Sequence, residues 1–184
     1  LDEVIYVEGL GEIRYDVAFG GAYYAFVDSS SLELRCRPDE ISRLIEYGRR
    51  IKNGINRHRV IAHPVTADLG FLYGIIFTAP SDATGVHSRH VCVFADGEVD
   101  RSPTGTGVSA RAALLEARGS MSTGDVVIIE SIIGSTFSVR MAALTEFAGL
   151  QAVVPEVSGT AYVTGSHNFV LDERDPFCHG FLLR

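Results

Sequence analysis

The stretch Val108-Ser109-Ala110-Arg111-Ala112-Ala113-Leu114-Leu115-Glu116-Ala117 is a strong helix former, rich in Ala and Leu. Its apolar residues surround most of the axis, so the helix belongs in an interior and not on a surface. The rest of the chain is written mainly in strand periods. Residues 4–7, 13–19 and 22–27 read as a β-meander, broken by Gly9-Leu10-Gly11 and by Gly20-Gly21. Residues 71–77, 90–95, 125–130, 136–144, 150–155 and 160–171 read as further strands. One other helix follows the polar, loop-like residues 29–37. Pro38-Asp39-Glu40 opens it, and Ile41, Leu44, Ile45, Ile51 and Ile55 form its apolar stripe. Arg43, Glu46, Arg49, Arg50 and Lys52 occupy the other face, so one stripe packs and the other is solvated. Runs of strands with two isolated helices predict an α+β fold and not a doubly wound parallel sheet.

Composition sets the outer limits. A chain of 184 residues makes one ordinary domain or two small lobes sharing an interface. With 46% apolar and 21% charged residues it packs a core, which excludes disorder as the main state. No uninterrupted apolar run approaches the ~20 residues of a membrane span. The net charge of −7 opposes a phosphate backbone, so nucleic acid is not an expected partner. Cys36, Cys92 and Cys178 are odd in number and widely spaced, which is no disulfide framework. No Cys/His spacing suits structural zinc, and a reducing, cytoplasmic setting is expected. The sequence carries no N-terminal targeting signal, and it opens at Leu1 inside a strand pattern, as expected for a piece of a longer chain.

The most unusual stretch, Asp100-Arg101-Ser102-Pro103-Thr104-Gly105-Thr106-Gly107, runs straight into the apolar helix. Ser102 suits the N-cap and Pro103 the first helical position. Thr104, Gly105, Thr106 and Gly107 then fall where backbone N–H groups have no partner within the helix. Gly105 and Gly107 have no side chain to keep a ligand from those donors. Such a nest suits a carboxylate or phosphate, and Asp100, just ahead of it, suits a cationic amine. An anion receptor beside a carboxylate is what a zwitterionic amino acid requires. The structural alternative is a glycine-rich helix start with no ligand. Neither a Walker A loop nor a dinucleotide fingerprint is present, since no Gly-Lys-Ser/Thr follows and Ala110 stands where the third glycine would be.

Residues 100–111 closely resemble the second active-site motif of the proline racemase family, which includes hydroxyproline epimerases and trans-3-hydroxy-L-proline dehydratases. The segments Val17-Ala18-Phe19-Gly20-Gly21-Ala22-Tyr23-Tyr24-Ala25 and Gly159-Thr160-Ala161-Tyr162-Val163-Thr164-Gly165, with Asp175-Pro176 and Gly180-Phe181, are also similar to that family. The resemblance implies a diaminopimelate epimerase-like fold, whose two lobes each wrap mixed, mostly antiparallel strands around a buried central helix, here 104–118. It implies that residues 1–28 end an N-terminal lobe, that 29–165 form the C-terminal lobe, and that 166–184 return toward the N-terminal lobe. The family's racemases place one cysteine on each face of the substrate Cα. Thr104 stands at the second of those positions, and an alcohol cannot serve as an anion near neutral pH. The pattern resembles the dehydratases, in which one face loses the proton and a 3-hydroxyl leaves. The family's first motif, a cysteine followed by Gly-His-Gly, does not occur in this sequence, so the piece alone is expected to be inactive.

The resemblance therefore implies Thr104 as the catalytic residue, with Asp100, Gly105 and Thr106 binding a proline or hydroxyproline. It implies no metal or other cofactor, the missing lobe as partner, and a homodimer. Cys178-His179-Gly180 lies at a tail position the family does not use for chemistry. His87, His90 and Cys92 lack a further ligand for a metal, because His90 and Cys92 share a strand face and His87 does not. His63 and His167 read as surface or hydrogen-bonded residues, and Arg101 as an ion-pair partner of Asp100. Two other readings stand beside the hydro-lyase. One is an isomerase of proline or hydroxyproline with an altered second acid/base, and the other is an amino-acid-binding lobe without catalysis.

Overall fold

The computed structural model describes residues 1–181. The strands are β1 (Glu3–Val7), β2 (Gly11–Phe19), β3 (Tyr23–Asp28), β4 (Leu72–Ala79), β5 (Ser88–Phe94), β6 (Glu98–Val99), β7 (Val126–Glu130), β8 (Thr136–Phe147) and β9 (Leu150–Gly159). Two α-helices, α1 (Ile41–His58) and α2 (Gly105–Ala117), interrupt them. The strands form one curled sheet in the order β1-β2-β3-β4-β5-β7-β8-β9, with β6 paired to β5. Only the β3–β4 and β5–β7 pairs are parallel. The α+β class and the mixed, mostly antiparallel sheet follow the sequence expectation.

The sheet curls around α2. On one side Ala110 and Leu114 pack on Tyr24, Phe26, Ile76 and Cys92. On the other, Val108, Ala112 and Leu115 pack on Ile129, Val139 and Met141 of β7 and β8. A helix apolar around most of its axis thus meets strands on two sides, which is what its composition demands. The opposite face of β3, β4 and β5 carries α1. Leu44, Ile51 and Ile55 of its stripe are wholly buried against Ile75, Phe77, Val91 and Val93. Gly48 lets the helix sit close to the sheet, because a Cβ there would stand 2.8 Å from that of Val93.

Three expectations need correction. Residues 29–37, read as a polar loop, bury Leu32, Leu34 and Cys36 in the α1 core. They lack a regular period because a short 3-10 turn, Ser29–Leu32, breaks the alternation. The last strand expected, over 160–171, is not formed; the chain leaves β9 at Gly159 and runs without regular structure. Tyr162, Val163 and Phe169 are 83%, 94% and 90% exposed, so these apolar side chains join no sheet edge or core among the described residues. Of the expected tail 166–184, residues 182–184 lie outside the described residues. The third concerns the start of α2. Ser102 was expected at its cap and Pro103 in its first turn, yet the helix starts two residues beyond Pro103, at Gly105.

Among the described residues no helix is long and apolar enough to cross a membrane. The wrapped arrangement makes the apolar face of α2 toward β7 and β8 a stability determinant. Leu115→Ala is expected to cost about 2–5 kcal/mol, read as a lower urea midpoint with an unchanged slope.

Candidate active site

The late start of α2 has a local cause. Asp100, just after β6, accepts at Oδ1 the amide of Ser102 at 2.8 Å, and at Oδ2 the Thr104 hydroxyl at 3.0 Å. The Ser102 hydroxyl accepts the Thr104 amide at 3.0 Å. The turn is thus tied together by its own side chains before the helix begins. Thr104 takes the cap position with φ 70° and ψ 104°, a conformation that a residue with a Cβ rarely adopts. Such strain costs on the order of 1–3 kcal/mol and persists only where the surroundings impose it.

The consequence lies at the helix end. A cap threonine ordinarily accepts an amide of the first turn with its hydroxyl, worth about 1 kcal/mol. Thr104 makes no such bond, because its hydroxyl is turned back onto Asp100. The first helical bond runs from the Val108 amide to the Thr104 carbonyl at 2.8 Å. The amides of Gly105, Thr106 and Gly107 precede that bond and have no carbonyl within the helix to meet. A Cβ placed on Gly105 would meet nothing within 4 Å, so this glycine faces open space. Gly107 has a different role from the one expected. A Cβ there would press on Ile76 and on the Thr104 side chain, so Gly107 serves packing.

The four residues expected at the site therefore share one turn. Thr104 is buried, Thr106 is exposed, and Asp100 and Gly105 lie between. Both Asp100 oxygens already accept bonds from the turn, which makes Asp100 first of all the group that holds Thr104. Arg101 is exposed, and among the described residues no ion pair joins it to Asp100; its carbonyl accepts the Ser135 hydroxyl instead. The expected Arg101–Asp100 pair is not formed, because the Asp100 carboxylate is directed at its own turn.

Two side chains missed in the sequence stand behind the turn. Cys92 of β5 lies against Thr104, and burial pushes its thiol up to about 12, which the Thr104 side chain only partly offsets. This cysteine stays a thiol and is no candidate base. Tyr24 of β3 shares a 2.7 Å hydrogen bond with the Thr106 hydroxyl, and burial pushes its phenol up to about 12 as well. A period of two could have told which of Tyr23 and Tyr24 faces α2. No local signal could reach a partner 82 residues away. The Gly20-Gly21 turn also closes on this helix end. A Cβ on Gly20 would collide with the Thr106 carbonyl and the Ala110 amide, and one on Gly21 would stand 2.8 Å from Thr106 Cγ2.

The remaining histidines and cysteines have structural surroundings. His90 is 1% exposed, edge-on to Phe26, and burial pushes its pKa well below the usual value. His87 lies outside β5 and shares Ser88 Oγ with His90, at 3.1 and 3.4 Å. Among the described residues no group of three His, Cys, Asp or Glu is arranged to hold a metal ion. His63 accepts the Thr66 amide at 2.9 Å and packs on Phe19 with ring centroids 4.9 Å apart. Cys36, Cys92 and Cys178 are all free thiols.

The family described as proline racemase matches residues 1–182. The chain belongs to the proline racemase family. It is 50% identical over 183 residues to a trans-3-hydroxy-L-proline dehydratase of Colwellia psychrerythraea, covering 100% of this chain and 52% of that protein. It is 40% identical over 184 residues to a 3-hydroxyproline 2-epimerase of Burkholderia multivorans, covering 100% of this chain and 55% of that protein. A crystal structure of a hydroxyproline epimerase from Agrobacterium vitis, with bound trans-4-hydroxy-L-proline, superposes with a TM-score of 0.87 at 40% identity. That match covers 100% of this chain and 52% of the epimerase. The chain thus spans about half the length of the curated relatives it matches.

Gly20 and Gly105 make opposite demands in this proline racemase family member. Gly20→Ala is expected to cost about 3 kcal/mol, because its Cβ meets backbone that cannot give way. Gly105→Ala should leave stability unchanged or slightly raised, since open space and a better helix former act together. Thermal melts of the two variants against the parent check both.

Proposed function

We propose that this chain supplies one wall of a cofactor-independent active site that dehydrates trans-3-hydroxy-L-proline. The observation that carries the reading is Thr104. It occupies a strained cap ahead of open helix amides, and its hydroxyl is bound to Asp100 where the family's racemases keep a thiol. The 50% identity to a dehydratase supports it, beside 40% to an epimerase.

The chemistry follows from these parts. The Gly105 and Thr106 amides, at the positive end of a buried helix, accept the substrate carboxylate. They oppose the negative charge that spreads onto that carboxylate as the Cα proton leaves. The base is a thiolate of the family's first motif, carried by the half of the protein that this chain does not contain. The electron pair of the Cα–H bond becomes the Cα=C3 bond as the C3–O bond breaks, and the departing 3-hydroxyl takes up the proton now held by the thiol, which gives water and restores the thiolate. Tautomerisation of the enamine then yields a cyclic imine. Thr104 contributes an oxygen fixed in place but no second acid/base of thiol acidity, so a proton is not returned to the opposite face. The exposed apolar residues 160–181, Tyr162 and Phe169 among them, fit a segment that packs on the same missing lobe. A homodimer of the whole protein is part of this proposal.

The full-length protein, incubated with trans-3-hydroxy-L-proline, should form a cyclic imine that condenses with an aromatic amine-aldehyde reagent. Optical change without that product assigns an epimerase instead; neither reaction leaves a binding lobe. Thr104→Cys should lower dehydration at least tenfold and introduce exchange of the Cα proton with solvent deuterium in both product configurations. An unchanged reaction profile contradicts the role given to Thr104.

A further inference from the structure

Tyr24 and Thr106 form a pair that the reaction as described does not use. The phenol is 1% exposed, and its single hydrogen bond among the described residues is the 2.7 Å contact with Thr106 Oγ1. Distance alone leaves either oxygen free to be the donor. A buried O–H that donates to nothing forfeits about 1–3 kcal/mol, whereas an exposed hydroxyl can donate to water or to a ligand at no such cost. Tyr24 is buried and Thr106 is exposed. The phenol, pushed up to about 12 by burial, keeps its proton throughout the neutral range. Tyr24 therefore donates and Thr106 accepts, which releases the proton of the Thr106 hydroxyl. The methyl of Thr106 is confined on its other side by Gly21, whose φ of 111° and missing Cβ leave just enough room for it. The rotamer is held from both sides, beside the open amides of Gly105 and Thr106.

We propose that the Thr106 hydroxyl is a third donor to the substrate carboxylate, after the two amides, and that Tyr24 is the positioning residue that commits it to donating. This inference rests on the carboxylate receptor of the preceding section and adds to it a side chain whose loss discriminates by ligand charge. A hydrogen bond to a charged acceptor is worth about 1.5–3 kcal/mol, which corresponds to about tenfold or more in affinity.

The test uses the full-length protein and two ligands of the same ring, L-proline and L-prolinamide, as competitors of trans-3-hydroxy-L-proline turnover. Thr106→Val, which keeps the shape and removes the hydroxyl, should weaken L-proline about tenfold and leave L-prolinamide unchanged. Thr106→Ser should restore L-proline binding to within a factor of about three. Tyr24→Phe should weaken L-proline several-fold, and the Tyr24→Phe/Thr106→Val double variant should be no worse than Thr106→Val alone. Unchanged L-proline affinity in Thr106→Val overturns the proposal, as does an equal loss for both ligands, which would mark a packing role. Equal affinity of the unsubstituted protein for the acid and the amide is a separate result, and it removes the carboxylate receptor itself.

Discussion

The bond from the Thr104 hydroxyl to Asp100 Oδ2 is the contact on which the proposed site depends. It takes the cap side chain away from the helix end and draws the cap backbone into the left-handed region. A helix inside a protein normally has its first amides satisfied by its own cap. Here the cap is turned away and those amides stay open at the end of a buried dipole. The protein forgoes a cap and bears a strained residue, and what it obtains is a cluster of fixed donors, which the proposed reading assigns to a carboxylate.

The remainder of the fold serves to hold that helix end in place. The curled sheet grips α2 from two directions, through Ala110 and Leu114 on one side and Val108, Ala112 and Leu115 on the other. Because both sides are close-packed, the helix cannot slide or rotate to recover the missing bonds. Gly20 and Gly21 let their turn close on Thr106, and Gly107 lets Ile76 close on the same helix end, while Gly105 faces open space. The distinction between these glycines is steric. Three are small because protein fills the space, and one is small with no protein there.

Much of this was legible in the sequence. The all-round apolar character of residues 108–117 required an enclosed helix, and the alternation in the flanking segments required strands around it. The Asp100–Gly107 stretch marked the start of that helix, and residue 104 marked an alcohol at its cap, on which the proposed chemistry rests. Other features could not be read there. Residues 160–171 have the alternation of a strand, but a strand exists only beside another, and among the described residues this one has no neighbour. Ser102 and Pro103 are good helix starters, yet Asp100 captured the turn first and moved the start to Gly105.

What the sequence by itself determined is the set of elements and the chemistry each residue can perform: a buried helix, a donor-rich start and an alcohol at residue 104. These follow from side-chain volume, polarity and acidity, which travel with the residue wherever it is placed. Only the tertiary structure decided which groups are spoken for. Tyr24 meets Thr106 and Gly20 closes on Ala110 across long stretches of chain, and Cys92 lies behind Thr104 from a separate strand. A hydrogen bond or a close contact depends on a few tenths of an ångström between atoms, and that distance is set by how the sheet curls and not by any local pattern.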